Sequence, residues 1–389
     1  MVREGLSQHG WSCVWANDIS KDKFNTYNDN FGDEHFKLAD IWDVASDSSI
    51  IPSSTFLYTA SFPCTDLSVA GGRAGLAGVE SGTIDALFKI LEAKCRVGTK
   101  PNVVLLENVR GFLTSHGGED VAETVKRFGD LGYFTDIIEL DARDFSAQSR
   151  PRVFVVAVQE SLAMQTMKLN KNDEVFDTWW SEINSNDYLR SHRVKSIISK
   201  NPSLKWGILE LDFDVKNTIR LKDIVEKDLQ DDSPLWWSDE RKSHLFSQMN
   251  LNHIKDLELM QKGETYSYGT VFRRMRKGKS MAEMRTDGFA GCLRTPRGGS
   301  SKQILIQAGF GDWKVRLLTP REYARLQGVR ESFILPENTN KGYFAMGDAV
   351  CVPVIEFIAK QILNPLFDNY KMSNKAMDFS DKAKTAGML

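Results

Sequence analysis

Cysteine is scarce in this chain of 389 residues. The five present are scattered, odd in number and never in Cys-x-x-Cys spacing, which excludes a disulfide framework and a structural zinc site. Long apolar runs are missing too: no stretch approaches the roughly 18 residues that a membrane span needs. The opening Met1-Val2-Arg3-Glu4-Gly5 has no secretory pattern, so a cytoplasmic protein is expected. There is no excess of one charge. Fifty Lys and Arg stand against 52 Asp and Glu, a formal net charge of −2, which excludes a protein basic over its whole surface. Internal repeats are absent. What remains is an ordinary globular composition, long enough to bury a large core in two domains.

The most informative stretch is Ser61-Phe62-Pro63-Cys64-Thr65-Asp66-Leu67-Ser68-Val69-Ala70-Gly71-Gly72. Residues 56–62 before it are apolar and β-prone and read as a buried strand, which Pro63 ends because it has no N–H for the ladder. Cys64 then lies just past a strand's carboxyl end, where ligands bind in open α/β sheets. Small residues follow through Gly82, a composition suited to a loop that closes over a ligand. Taken alone, Cys64 reads equally as a buried, inert thiol.

Along the chain, residues 2–9 form a short amphipathic helix and 11–16 a strand that ends near Asn17-Asp18. An acidic residue there accepts hydrogen bonds from a ribose or caps a turn, and Asp40-Ile41 offers the same choice. Residues 83–97 have helical spacing, and 103–106 are a strand leading into Glu107-Asn108-Val109. A helix around Val121, Val125 and Phe128 and strands at 134–140 and 153–158 continue the alternation. This is the pattern of a doubly wound α/β fold with a parallel sheet, and it gathers Asp18, Asp40, Cys64 and Glu107 along one sheet edge. From 160 to 315 the alternation stops, in a region that carries Trp179-Trp180 and Trp236-Trp237. Between Phe272 and Lys302 it holds nine Lys or Arg against Glu283 and Asp287, either a solvated loop or a stripe that neutralises phosphates. Order returns with Leu318-Thr319-Pro320-Arg321-Glu322, a Thr cap with Pro at the first helical position, and with an apolar helix at 354–362 after a turn at Gly347. The expected division is a catalytic domain at 1–160, a second, irregular domain at 161–340, a returning segment at 341–367 and a flexible tail at 368–389.

Five blocks stand in order: Phe62-Pro63-Cys64 with Ser68, Glu107-Asn108-Val109, Gln148-x-Arg150-x-Arg152, Arg316-x-Leu318-Thr319-Pro320-Arg321-Glu322-x-x-Arg325-Leu326-Gln327-Gly328, and Gly347-Asp348-Ala349-Val350. Together they resemble the cytosine carbon-5 DNA methyltransferases over residues 1–365. The resemblance implies a methyltransferase sheet with a target-recognition domain and S-adenosylmethionine as cofactor. Double-stranded DNA is then the substrate, for a monomer that acts as the modification half of a restriction-modification system with a cognate restriction endonuclease. It implies that the Cys64 thiolate adds to carbon 6 of a flipped cytosine while Glu107 holds or protonates nitrogen 3, in an electropositive neighbourhood supplied by Arg150 and Arg152. By the same resemblance Asp18, Ile19, Asp40, Ile41, Pro63, Ile84, Asp348, Ala349 and Val350 surround the cofactor. DNA contacts are expected from Ser68, Arg273, Arg274, Arg276, Arg294, Arg297 and Ser300. An RNA cytosine methyltransferase, or an inactive DNA-binding remnant, are the alternatives.

Two departures carry expectations of their own. Asp348 stands where the family usually has Asn. The first strand of the family and its Asp-Leu-Phe-x-Gly-x-Gly turn are not in the chain, which starts within the helix that follows them; an upstream start is the expected reason. Without that strand its two neighbours in mid-sheet lose on the order of eight backbone hydrogen bonds, at about 1 kcal/mol each.

Overall fold

The computed structural model describes residues 1–63, 81–170, 176–185, 187–227, 229–276, 278–295, 302–374 and 385–388. The chain divides into two units: Val2–Leu140 with Pro151–Asp214 and Ile355–Leu389, and Asp141–Arg150 with Val215–Val354.

The first unit is built on a seven-stranded sheet. Its strands are β1 (Ser12–Asp18), β2 (Phe36–Leu38), β3 (Leu57–Ser61), β4 (Val103–Val109), β5 (Tyr133–Asp141), β6 (Pro151–Gln159) and the C-terminal Thr385–Met388, in the order β2-β1-C-terminal strand-β3-β4-β6-β5. The pairings from β2 to β4 are all parallel, and β6 runs antiparallel to β4. Central strands such as β4 read as continuous apolar runs because helices cover both faces of such a sheet. The helix Ile84–Arg96 buries Ile84, Leu87, Phe88 and Leu91, and the helix Glu119–Asp130 buries Val121, Val125 and Phe128, all in one core.

The mid-sheet place expected to lie vacant is filled. Thr385–Met388 pairs with β1 from Ser12↔Thr385 to Ala16↔Met388 and with β3 from Ala386↔Leu57 to Met388↔Thr59. The expected flexible tail is corrected accordingly, since Asn364–Asn374 is helical and 385–388 is a strand. Four residues are too few to show a period in the sequence.

The boundary expected at 160 moves to 214. Residues β7 (Lys168–Leu169) and β8 (Gly207–Ile208) pair with each other, and Trp179, Val194, Ile197 and Ile198 enter the core of the sheet unit. The segment is tied to β5 by backbone bonds from Thr135 to Lys205 and from Glu139 to Leu189. A buried ion pair, Arg190 Nε to Asp136 Oδ1 at 2.9 Å, reinforces it; Asp136 also accepts from the Leu209 amide. The return to this unit falls at 355 rather than 341.

The second unit is more regular than expected. β9 (Ser267–Arg276), β10 (Lys279–Arg285), β11 (Ile304–Gly309) and β12 (Asp312–Leu317) form one antiparallel sheet in the order β10-β9-β11-β12. Its core holds Leu245, Leu257, Val271, Ala282, Ile306 and Val315, with Trp237 packed at the margin. Both faces are enclosed at mid-sheet, where Thr270, Leu305 and Arg316 are as buried as Val271, Ile306 and Val315, so the strands show no clean alternation in the sequence. The expected turn at Gly347 is instead the end of a helix, Thr339–Asp348. The helical run Thr339–Asn374 does reach the length and hydropathy of a membrane span, contrary to expectation, but 72% of its apolar window is buried inside the protein.

Candidate active site

In the sheet unit the parallel strands β1, β3 and β4 end on one edge, and Asp18, Pro63 and Glu107 stand there. Register makes the juxtaposition specific. Ser61, the last residue of β3, is opposite Glu107 of β4, and Glu107 is opposite Phe154 of β6. Buried Asn108 donates from Nδ2 to the Phe62 carbonyl at 3.2 Å, and the Phe62 ring meets Phe112 edge to face at 5.5 Å. Those two contacts fix the course of the chain into Pro63, one residue before Cys64. Cys64 and Ser68 lie outside the described residues.

Arg152 stands on β6 opposite Val109, and its Nε lies 2.9 Å from Glu107 Oε1, the side chains 13% and 15% exposed. The structure therefore brings together Glu107 and Arg152 of the expected catalytic set. A guanidinium against a partly buried carboxylate fixes its rotamer and leaves its other oxygen to a substrate.

Arg150 is used differently. It is 4% exposed and lies in the second unit. Its Nη1 donates to the Leu293 carbonyl at 2.6 Å, and its Nη2 to the carbonyls of Gly347 at 2.9 Å and Ala349 at 2.8 Å. Gln148 works beside it, donating to the Leu326 carbonyl and accepting from the Leu293 amide, while Gln327 donates to the carbonyls of Met346 and Ala349. Gly347 is required here, because a Cβ would come within 2.7 Å of the Arg294–Thr295 backbone. The Gln148-x-Arg150 pair, Gln327 and the Gly347 block are thus one buried clamp. The Leu-Thr-Pro-Arg-Glu block supports it: Thr319 and Glu322 form a capping box, and Glu322 takes Arg316 in a two-pronged ion pair.

Of the expected cofactor residues, Asp18 accepts from the Ser20 amide at 2.8 Å and faces Lys23 at 3.1 Å. Asp40 caps the helix Ile41–Ser46 through Oδ1, which accepts from the Trp42 amide, and its other oxygen has no partner among the described residues. Two acceptor carboxylates at neighbouring strand ends, beside the half-exposed Ile41 and Trp42, fit the hydroxyls and ring of a nucleoside. Ile19 is 68% exposed. Ile84 is 1% exposed and packs in the core of the sheet unit. In the second unit Ala349 and Val350 are buried and Asp348 is exposed.

On the other sheet, Arg274 and Arg276 of β9 share Glu283 of β10, at 3.7 and 3.2 Å. Arg294 is exposed, and Arg297 and Ser300 lie outside the described residues. In the sequence Asn108, Gln148 and Gln327 stand out only as letters of three separate motif blocks, and that position is the signal for them.

A family model described as C-5 cytosine-specific DNA methylase matches residues 2–364. Among curated relatives, the type II methyltransferase M.BanI of Aneurinibacillus aneurinilyticus is 26% identical over 93% of this chain and 92% of its own. M.HhaI of Haemophilus parahaemolyticus is 25% identical over 95% and 92%. Among solved structures, the Entamoeba histolytica methyltransferase EhMeth superposes with a TM-score of 0.58 at 14% identity, over 95% of each chain. The S. pombe Dnmt2 methyltransferase does so at 0.54 and 17%, over 94% of this chain and 95% of that one.

Proposed function

We propose, from the premise that the chain belongs to the C-5 cytosine-specific DNA methylase family, that it methylates carbon 5 of a cytosine flipped out of duplex DNA, through a covalent adduct on Cys64. The observation that carries this is the register of β3 and β4: Ser61 is opposite Glu107, and Asn108 holds the Phe62 carbonyl, two residues before the thiol.

Carbon 5 is a poor nucleophile, so the ring has to be activated first. The Cys64 thiolate adds to carbon 6, the C5–C6 double bond opens, and the electron pair moves into the ring. Glu107, positioned by Arg152, acts there as an acid: it gives nitrogen 3 a proton, which neutralises that charge. Carbon 5 takes a methyl group and then loses its proton to a water base, the C5–C6 double bond re-forms as the thiolate leaves, and nitrogen 3 returns its proton to Glu107. S-adenosylmethionine, when bound, supplies the methyl group; Asp18 and Asp40 hold its ribose. A base within a duplex is out of reach, so it must be extruded into the site. In the cell the reaction protects host DNA from a cognate restriction endonuclease, in line with the type II relatives.

The test is transfer of labelled methyl groups to duplex DNA by the purified chain, with Cys64→Ser alongside. Transfer that vanishes in the variant supports the reading. No transfer by the parent, or equal transfer by both, sinks it, and preference for tRNA over duplex DNA would move the assignment to RNA.

A further inference from the structure

We infer that Trp237, Arg241 and Arg273 form a binding site for a backbone phosphate of DNA. The inference rests on the proposed function for its choice of polyanion, and on one surface of the second unit for its geometry.

The basic stripe is not one feature. Side chains alternate across a strand, so Arg273 stands on the opposite face of β9 from Arg274 and Arg276. Those two converge on Glu283 and share its single negative charge. Arg273 instead pairs in register with buried Ala282, on the face of the hydrophobic core. There its guanidinium carbon lies 5.9 Å from the centre of the Trp237 ring. Arg241 stacks on the same ring at 3.7 Å.

Two cations thus share one aromatic ring, and among the described residues neither has a carboxylate within ion-pair distance. Two acids of that region, Asp239 and Asp312, both face Lys242 instead. The Nε of Arg273 is buried with no hydrogen-bond partner. Arg241 is the third residue of the helix Asp239–Ser247, in the turn where a helix dipole opposes a cation and favours an anion. Burial and the charge of Arg273 both hold the Arg241 guanidinium below the usual arginine range.

Each of these is unfavourable until an anion arrives. A phosphate brings negative charge between the guanidiniums and acceptor oxygens for their N–H groups. The indole face keeps the Arg241 guanidinium flat and its N–H fork pointed outward. A guanine edge takes one arginine fork, whereas convergence of two cations suits the diffuse charge of a phosphodiester. The predicted contact is therefore insensitive to base sequence.

The experiment is equilibrium binding of the full chain to a fluorescent 30-base-pair duplex over a range of salt concentrations. The Arg241→Gln/Arg273→Gln double variant should lower the slope of log affinity against log salt by about 0.9, the loss of one phosphate contact, and weaken binding roughly tenfold on any sequence. Arg274→Gln, whose charge is already shared with Glu283, should change the slope less. An unchanged slope in a double variant that melts like the parent overturns the inference. If the variant does not fold, the parent decides: the part of its tryptophan emission that Trp237→Phe removes should respond to DNA, and no response overturns the site. Methyl transfer is read in parallel. A parent that binds DNA with the Trp237 signal but transfers no methyl supports the site while refuting the proposed activity.

Discussion

Arg150→Met separates two roles for the same residue. If Arg150 exists to lower the pKa of a thiol, its loss should reduce the rate and spare the fold. The structure predicts the reverse order of effects. The guanidinium holds three backbone carbonyls in a site where the side chain is 4% exposed. Bonds from a charged donor contribute about 1.5–3 kcal/mol each, and an unmatched buried carbonyl adds a desolvation cost. The full loss is not expected, because the Ala349 carbonyl keeps the Gln327 amide and methionine fills part of the volume. About 4 kcal/mol is a reasonable figure. In a unit of about 150 residues, that lowers Tm by roughly 8–16 °C, at 2–4 °C for each kcal/mol. Differential scanning calorimetry measures the shift, and methyl transfer at 15 °C measures what activity survives while the variant is still folded. Arg150→Lys should recover little, since one ammonium cannot reach three carbonyls in different directions. A Tm within 2 °C of the parent, together with a hundredfold fall in rate, would refute the clamp and restore the electrostatic role.

Removing residues 375–389 should strip a strand from mid-sheet; its register pairs with β1 and β3 correspond to on the order of 5 kcal/mol of backbone hydrogen bonding, and calorimetry showing an unchanged Tm would exclude that place for it. Gly328 has φ +69° and a would-be Cβ only 2.3 Å from Pro353 Cδ, so Gly328→Ala should cost about 2–4 kcal/mol in chemical denaturation, from strain and overlap together. Arg152→Ala frees Glu107 from its partner at 2.9 Å and should lower kcat at least tenfold with Tm little changed, as the pair lies at the rim of the core. Burial raises the Glu356 carboxyl above its ordinary value of 4.5. A raised acid contributes stability that is fully present below the unfolded pKa and is lost as pH rises through the folded one. Glu356→Gln should therefore match the parent at pH 4 and melt higher at pH 8; equal melting at both would contradict the burial.

Much of the sheet edge was legible because its signals are local. A continuous apolar run makes β4 a buried strand whatever surrounds it, a Pro ends the strand before Cys64, and a Thr-Pro-x-Glu start caps a helix by its own side chains. Such runs, alternating with helices, are enough to place Asp18, Asp40 and Glu107 at one rim. What stayed illegible depends on partners distant in sequence. Nothing near Arg150 says that its guanidinium will meet carbonyls at 293, 347 and 349, and nothing in the basic stripe separates Arg273 from its neighbours until β9 pairs with β10 and Glu283 takes two of the three. The residues from Thr385 to Met388 say least of all, being only four in number. The chain alone determined which groups are chemically able to act and on which edge they stand; packing decided which arginine braces the backbone, which one faces the carboxylate and which is left for an anion, because charge pairing and burial are properties of contacts rather than of residues.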